Sequence, residues 1–169
     1  MQAEAPEPET EPAAPRVDPK TFAGADGTYD YGKDAIGELR TGLVDAEVVR
    51  ILGEPESKDG REEEAATGDI VDLWRYPAKG IVLTMSSKTM TSALSIRGIS
   101  IDPPCSLATK AGIAIGSTRA EVRAAYGPLE DPDFRGEAKR FIVGTLYGGL
   151  FLDFEGDAVT SMYLGDGAE

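Results

Sequence analysis

Short runs in which apolar and polar residues alternate dominate the chain after residue 35, and this period of two predicts β-strands. The runs cover residues 70–76, 80–85, 90–96, 139–147, 149–154 and 158–164. Several connections between them have hairpin length, which favours antiparallel pairing. Two other segments, residues 44–52 and 122–126, space their apolar residues as one face of a short helix. The pattern therefore predicts an α+β fold in which short helices pack on an antiparallel sheet.

The surroundings of the two helical segments are similar, which indicates an internal repeat. Residues 36–55 align with residues 113–129, with a glycine before each helix and a glycine close to a proline after it. We expect two tandem strand–helix–β3 repeats that share a sheet and carry their helices on one face. Repeat 1 is expected over residues 21–101 and repeat 2 over residues 102–169, together forming one compact domain.

The two helices differ in their predicted N-terminal caps. In the second helix, Thr118 is followed three residues later by Glu121, which is the spacing of a capping box. The first helix has Val44 at the matching position, so Asp45 is its only candidate cap.

Residues 1–20 have a different composition, with five prolines among glutamates and alanines and almost no aliphatic side chains. Such a segment buries too little apolar surface to offset its ordering entropy, and proline biases it towards an extended spacer. We expect either a disordered terminus or the tether of an exported lipoprotein. The first residues are acidic and lack the pattern of a signal peptide.

Residues 42–55, GLVDAEVVRILGEP, resemble the G-M-T-x-x-E-V…L-G-x-P opening of SmpA/OmlA-like (BamE-like) domains. Such domains occur in the small lipoprotein of the outer-membrane β-barrel assembly machinery. The tandem arrangement is similar to the β-lactamase inhibitory protein (BLIP-like) fold, and residues 109–118 are similar to openings found in bacterial lipoproteins of unknown function. The resemblance covers about residues 35–165 and implies a fold more than a function. The disulfides of the secreted inhibitors cannot form here, because Cys105 is the single cysteine.

Alternation along the strands assigns their side chains to two sheet faces. The face expected beneath the helices holds Val71, Leu73, Ile81, Leu83, Leu94, Ile96, Leu150, Leu152, Met162 and Leu164. The opposite face then exposes four aromatic side chains, and these are the predicted partner-binding residues Trp74, Tyr76, Phe151 and Tyr163. The alternative is that another copy of the chain, or the N-terminal segment around Phe22, Tyr29 and Tyr31, covers them.

Charge and composition narrow the functional classes. The chain has 17 Lys and Arg against 30 Asp and Glu, a net charge of −13, and no histidine. This acidity disfavours nucleic acid as a partner and favours a basic one. Without histidine, neither a Ser-His-Asp triad nor a His-ligated metal site is available. We assign no catalytic residue, cofactor or metal ligand; Asp153 with Glu155, residues 131–136 and residues 112–118 only partly match such sites.

Together these observations predict a non-enzymatic protein-binding module that recognises a protein partner through one sheet face. We expect an exported location, periplasmic, extracellular or tethered to the outer membrane by a lipid anchor that lies outside this chain. One alternative is a proteinaceous enzyme inhibitor similar to the β-lactamase inhibitory proteins. Another is a small-ligand carrier or an enzyme of unrecognised type. The oligomeric state and the role of Cys105, a buried apolar group or a free thiol, stay open.

Overall fold

A computed structural model describes residues 17–167, and in this range two short helices and eight antiparallel strands form an α+β fold. The elements are α1 (Asp45–Leu52), α2 (Arg119–Tyr126), β1 (Ser57–Lys58), β2 (Glu62–Glu63), β3 (Ile70–Tyr76), β4 (Ile81–Ser87), β5 (Ser95–Ile101), β6 (Arg140–Thr145), β7 (Gly148–Glu155) and β8 (Ala158–Asp166). The predicted antiparallel sheet with short helices is confirmed. The strand expected over residues 90–96 begins later, at Ser95.

A single sheet contains all eight strands. Their order is β1–β3–β4–β5–β8–β7–β6, and β2 also pairs with β3. The central pair, β5 and β8, joins two three-stranded meanders, with Ile99 opposite Leu164. Both outer edges are partly covered, since β1 and β2 line β3 and the amide of Asp131 donates to the Ile142 carbonyl of β6 at 2.8 Å. Little free edge is therefore left for pairing with another chain.

The two helices begin with the same backbone geometry and different side-chain caps. Thr118 accepts from the Glu121 amide at 3.1 Å and its own amide donates to Glu121 Oε1 at 2.8 Å, so the predicted capping box is confirmed. Val44 occupies the N-cap of α1 without a side-chain hydrogen bond. Asp45, the candidate cap, instead accepts from the Leu94 amide at 3.0 Å. Its carboxylate ties α1 to the approach to β5.

The strands expected before each helix are reduced to single bridges. Val44 bridges to Ser95 before α1, and Thr118 bridges to Ala158 before α2. An equivalent pair of backbone hydrogen bonds accompanies each bridge. The donor–acceptor pairs are Gly42 N to Ile96 O and Ile96 N to Leu43 O before α1, and Gly116 N to Val159 O and Val159 N to Ser117 O before α2. Both helices are thus attached to the first residues of a meander's third strand.

The main core lies between the helices and one side of the sheet, here called the covered face. Most residues expected there are buried, including Leu83, Leu152 and Leu164, which have no exposed surface. β3 is the exception, because Val71 and Leu73 are only half buried and point to the other side, here called the open face. Those two assignments are wrong. β3 has apolar residues at both parities, and its alternation alone does not define which face is inward.

The N-terminal segment belongs to the folded part from Val17 onward. Asp18 accepts from the Lys20 amide at 2.9 Å and caps a 3₁₀ turn, Pro19–Phe22. Phe22 is fully buried, and its ring centroid lies 5.7 Å from that of Tyr126. Residues 17–20 are therefore part of the fold, although they were expected in the disordered spacer. The rest of that predicted spacer lies outside the described residues.

Candidate functional site

The four predicted partner-binding residues do not share a face. Trp74 and Tyr76 lie on the covered face and are 3% and 2% exposed. Trp74 pairs with Leu83 of β4 and donates through Nε1 to Asp72 Oδ2 at 3.3 Å. The Tyr76 hydroxyl donates to the Gly53 carbonyl at 3.0 Å. Both side chains contribute to the core, so the expectation that they are exposed for a partner is wrong.

Phe151 and Tyr163 lie on the open face, as expected. They are directly opposite each other on β7 and β8, and their ring centroids are 6.0 Å apart at an interplanar angle of 29°. Phe151 is 8% exposed, whereas Tyr163 is half buried. Tyr163 is therefore the more accessible ring, with Phe151 packed beside it.

Glycines beside this aromatic pair explain why Tyr163 lies low on the sheet. Gly98, Gly165, Gly149 and Gly144 are opposite one another on β5, β8, β7 and β6, in one row across the sheet. A Cβ at Gly98 would lie 2.1 Å from the Tyr163 hydroxyl oxygen, so only glycine leaves space for the ring. At Gly98 and Gly165 the open face therefore has bare backbone on which the Tyr163 ring packs.

A network of charged groups surrounds the Tyr163 hydroxyl. Arg97 Nη1 lies 2.8 Å from Glu64 Oε1, and Arg97 Nε lies 3.3 Å from Asp166 Oδ2 without the alignment of a hydrogen bond. The Tyr163 hydroxyl donates to Asp166 Oδ1 at 3.2 Å. The hydrogen bond from Arg97 lowers the pKa of Glu64, while burial and the Asp166 carboxylate raise the pKa of Tyr163. At neutral pH the hydroxyl thus stays protonated.

A second ion pair lies on the other side of the Phe151–Tyr163 pair. Arg140 of β6 donates through Nε to Asp153 Oδ1 at 2.6 Å and through Nη2 to Asp153 Oδ2 at 3.1 Å, which is a bidentate arrangement. The guanidinium carbon lies 6.0 Å from the centroid of the Phe151 ring. Arg140 is therefore held beside the aromatic pair by one acid and one ring.

These groups line a solvent-open groove of about 450 Å³ on the open face. Its lining residues are Glu64, Thr67, Thr84, Arg97, Arg140, Leu146, Phe151, Tyr163, Asp166 and Gly167. Sequence reasoning found the two aromatic residues and missed the charged ones. Arg97 sits at the irregularity where the β4–β5 register shifts, and strand alternation does not assign such a residue to a face.

Asp34 is the most enclosed carboxylate of the covered side, at 1% exposure. Its Oδ2 accepts from the hydroxyls of Tyr29 at 2.8 Å and Tyr126 at 2.7 Å. Its Oδ1 accepts from the amides of Ala35 at 2.8 Å and Lys110 at 3.3 Å. Burial and the Asp34 charge raise the pKa of both tyrosines. With every oxygen engaged and no access to solvent, this network connects the N-terminal segment to α2 and has no room for a substrate.

The other candidate site residues from the sequence do not form a catalytic or ligand-binding site, and most of them have structural roles. Asp153 is engaged by Arg140, Asp131 caps a 3₁₀ turn, and Cys105 is buried in the core. Thr118, in the glycine-containing segment, caps α2. Between residues 17 and 167, no group of three His, Cys, Asp or Glu side chains is placed to hold a metal ion. Over the same range, no helix has the length and apolar character needed to cross a bilayer.

No protein-family model, curated protein or solved structure matches the chain. Its function has to follow from the geometry of the site, above all from the open-face groove.

Proposed function

We propose that the chain is a non-enzymatic protein-binding module whose partner docks in the open-face groove, over Tyr163 and between Arg97 and Arg140. The observation that carries this proposal is the stacked Phe151–Tyr163 pair beside two arginines in a groove that is open to solvent among residues 17–167. Tyrosine and arginine are the side chains most often responsible for binding energy at protein interfaces. The same groove offers no histidine and no enclosed pocket for catalysis or ligand storage.

The ion pairs support a binding role because they prepare the groove for contact. Glu64 holds Arg97 and Asp153 holds Arg140, so both guanidinium groups are ordered before a partner arrives. Binding then loses less side-chain entropy than it would with two free arginines. The half-buried Leu73 and Val82 extend an apolar surface from the groove across the first meander. A partner larger than the groove itself has further apolar area to cover.

The overall charge supports a basic partner. The chain carries −13, and an acidic surface attracts a positively charged protein over several ångströms before contact. Such steering weakens as salt screens the charges. The association rate with the partner should therefore fall as ionic strength rises.

We infer that the chain is built from two tandem strand–helix–β3 units, over residues 21–101 and 102–169. Support comes from the equivalent hydrogen bonds before α1 and α2 and from the mirrored strand order around the β5–β8 pair. Each unit's first strand is short enough to form one bridge only. The likeness to SmpA/OmlA-like domains and to the β-lactamase inhibitory protein fold stays a prediction from the sequence.

An exported location with a lipid tether is part of the same proposal. Its support is the composition of residues 1–16, rich in proline and glutamate, together with the resemblance to envelope lipoproteins. Determining the N-terminus of the native precursor tests it. A lipidated cysteine upstream of this segment agrees with the proposal. The proposal is contradicted if the native protein appears in the same cell fraction as cytoplasmic marker proteins.

The binding proposal is tested by affinity capture with matched arginine variants. Arg140→Ala removes an arginine from the groove, and Arg50→Ala removes an ion-paired arginine from α1, on the other side of the sheet. Tyr163→Ala removes the accessible ring. Each immobilised full-length variant, checked for folding by circular dichroism, is exposed to extract from the cells that make the protein, and bound proteins are quantified by mass spectrometry.

We expect wild type and Arg50→Ala to retain the same specific partner, and Tyr163→Ala and Arg140→Ala to lose most of it. Arg140→Ala should lower retention by about tenfold, as is usual for an interface arginine. If all four proteins retain equal amounts, or if Arg50→Ala is as defective as Arg140→Ala, the open-face groove is not the binding site.

A further inference from the structure

The β6–β7 turn presents two large apolar residues to solvent. Tyr147 is 75% exposed and Leu146 is 36% exposed. Tight two-residue turns favour asparagine and glycine, which adopt the required backbone angles easily. Here neither residue has a positive φ, so the turn does not require glycine or asparagine and accepts two bulky side chains. The exposed leucine–tyrosine pair is therefore apolar contact area that a partner could cover.

Hydrogen bonds hold this turn in place. The Gly167 amide donates to the Tyr147 carbonyl at 2.8 Å, and the Tyr147 amide donates to Thr145 Oγ1 at 3.2 Å. The backbone beneath the exposed ring is therefore ordered. An aromatic ring on an ordered backbone contributes contact area at a low entropic cost.

A solvent-open cleft of about 350 Å³ lies between this turn and the N-terminal segment. Its walls include Tyr31, Tyr147, Asp26 and Asp30. The Tyr31 ring packs closely on Gly148, where a Cβ would lie 2.8 Å from the ring. Two tyrosine rings and two carboxylates thus share one cleft.

The two carboxylates of this cleft have hydrogen bonds but no cation. Asp26 Oδ1 accepts from the amide and the hydroxyl of Thr28 at 3.0 and 2.7 Å, and Asp30 Oδ1 accepts from the Gly32 amide at 2.9 Å. Within residues 17–167 neither acid forms an ion pair. The Thr28 hydroxyl lowers the pKa of Asp26, which keeps this carboxylate charged. Lys33, the cation nearest to Asp30 along the chain, donates to the Ala23 carbonyl at 2.8 Å.

We propose that this cleft receives a cationic side chain, an arginine or a lysine, from the protein partner, with Tyr147 stacked against it. An ammonium or guanidinium group is attracted both by the faces of aromatic rings and by carboxylates. An anionic ligand, such as a phosphate or an acidic lipid, would be repelled by Asp26 and Asp30. The proposal rests on the proposed function, because Leu146 lines the open-face groove and a partner docked there reaches the turn.

The test uses small probes and needs no knowledge of the partner. The ¹⁵N-labelled full-length chain is titrated with Nα-acetyl-arginine amide, Nα-acetyl-lysine amide and, as an anionic control, Nα-acetyl-glutamate amide, at constant ionic strength. We expect saturable shifts of the Tyr31, Tyr147 and Gly148 amides with the two cations and none with glutamate. Tyr147→Ala should weaken the binding of the cations by about threefold, the usual size of an exposed cation–aromatic contact.

Isosteric variants in the cleft and one variant far from it show whether cation binding depends on the negative charges of the cleft or on a general change of structure. Asp26→Asn and Asp30→Asn keep oxygens that accept from Thr28 and Gly32 and remove the negative charge, so each should weaken binding of the cations to a similar degree. Met90→Ala, which shortens another exposed apolar side chain between β4 and β5, should leave it unchanged. Absence of saturable shifts with both cations overturns the proposal. So does equal binding of glutamate, or binding that none of the three cleft variants weakens.

These outcomes are distinct from failure of the proposed function. If the cations bind in the cleft while partner capture does not depend on Tyr163, the open-face groove is wrong as the docking site and the cation cleft stands. If capture depends on Tyr163 and the cations do not bind, the groove stands and the cation cleft is wrong.

Discussion

The two halves of the sheet differ in whether they place aromatic side chains on the open face. In the first half, residues 35–101, Trp74 and Tyr76 of β3 are buried on the covered face. In the second half, residues 109–166, Phe141 and Phe154 are likewise buried in the core, but Phe151 and Tyr163 lie on the open face. Both halves have a helix followed by three antiparallel strands, so the order of elements does not explain the difference. The phase of alternation in each strand decides whether an aromatic residue packs in the core or lies on the open face.

Phe151 and Tyr163 of β7 and β8 face a different side from the aromatic residues of β3 because the other residues of these strands differ. β7 and β8 have aliphatic residues at one parity, among them Leu150, Leu152 and Leu164, and these fill the covered face. Phe154 of β7 joins them in the core, and Phe151 and Tyr163, at the other parity, are left for the open face. β3 has large apolar residues at both parities, and its larger rings occupy the core, where more surface is removed from water.

The largest expected contrast is between Trp74→Ala and Tyr163→Ala. Removing the buried indole should lower the free energy of unfolding by about 3–5 kcal/mol, because it leaves a cavity in the core. Removing the half-buried Tyr163 ring should cost only about 1 kcal/mol, since part of the ring is already in water. Urea denaturation followed by circular dichroism measures both. A larger loss for Tyr163→Ala than for Trp74→Ala would contradict the assignment of the two faces.

Alkaline pH should weaken the fold through its buried tyrosines. Burial and Asp34 raise the pKa of Tyr29 and Tyr126 above the ordinary value near 10, so above about pH 10 the unfolded chain loses these protons while the folded chain keeps them. Each such tyrosine therefore lowers stability by up to about 1.4 kcal/mol per pH unit. Tyr76, whose pKa burial raises to about 12, adds to the loss only until about pH 12.

Comparing urea midpoints at about pH 9 and about pH 11 checks this expectation. Tyr126→Phe lacks one of the titrating groups, so its stability should decline less steeply between the two pH values. Arg50→Ala, an exposed variant on α1, serves as the control and should decline as steeply as wild type. If the stability of Tyr126→Phe declines as steeply as that of wild type, Tyr126 does not cause the loss of stability at alkaline pH.

The smallest expected effects concern the two helix caps. Thr118→Ala removes the capping box of α2 and should cost about 1 kcal/mol. Val44→Thr supplies the missing cap of α1, whose N-cap backbone has nearly the same angles, and should add about 0.5 kcal/mol. Thermal unfolding of the two variants tests the pair. If Val44→Thr does not stabilise the protein and Thr118→Ala does not destabilise it, contacts other than the caps determine where both helices begin.

Much of the fold follows from local patterns. Thr118 and Glu121 predict the start of α2 because a capping box involves neighbouring residues only. Five of the six main strands lie where alternation predicts them, and β5 begins later because the segment before it is bound to α1 through Asp45. At the open-face groove, the same alternation identified Phe151 and Tyr163.

The amino-acid sequence by itself determined the α+β class, the two short helices, the hairpins and the acidic character, because each depends on neighbouring residues or on composition. The tertiary structure decided the face of Trp74 and Tyr76 and brought Arg97, Glu64 and Asp166 together at Tyr163. These placements depend on strand register and on pairing between β5 and β8, which join residues far apart in the chain. A strand with apolar residues on both sides, such as β3, has no inward face until its neighbours supply one.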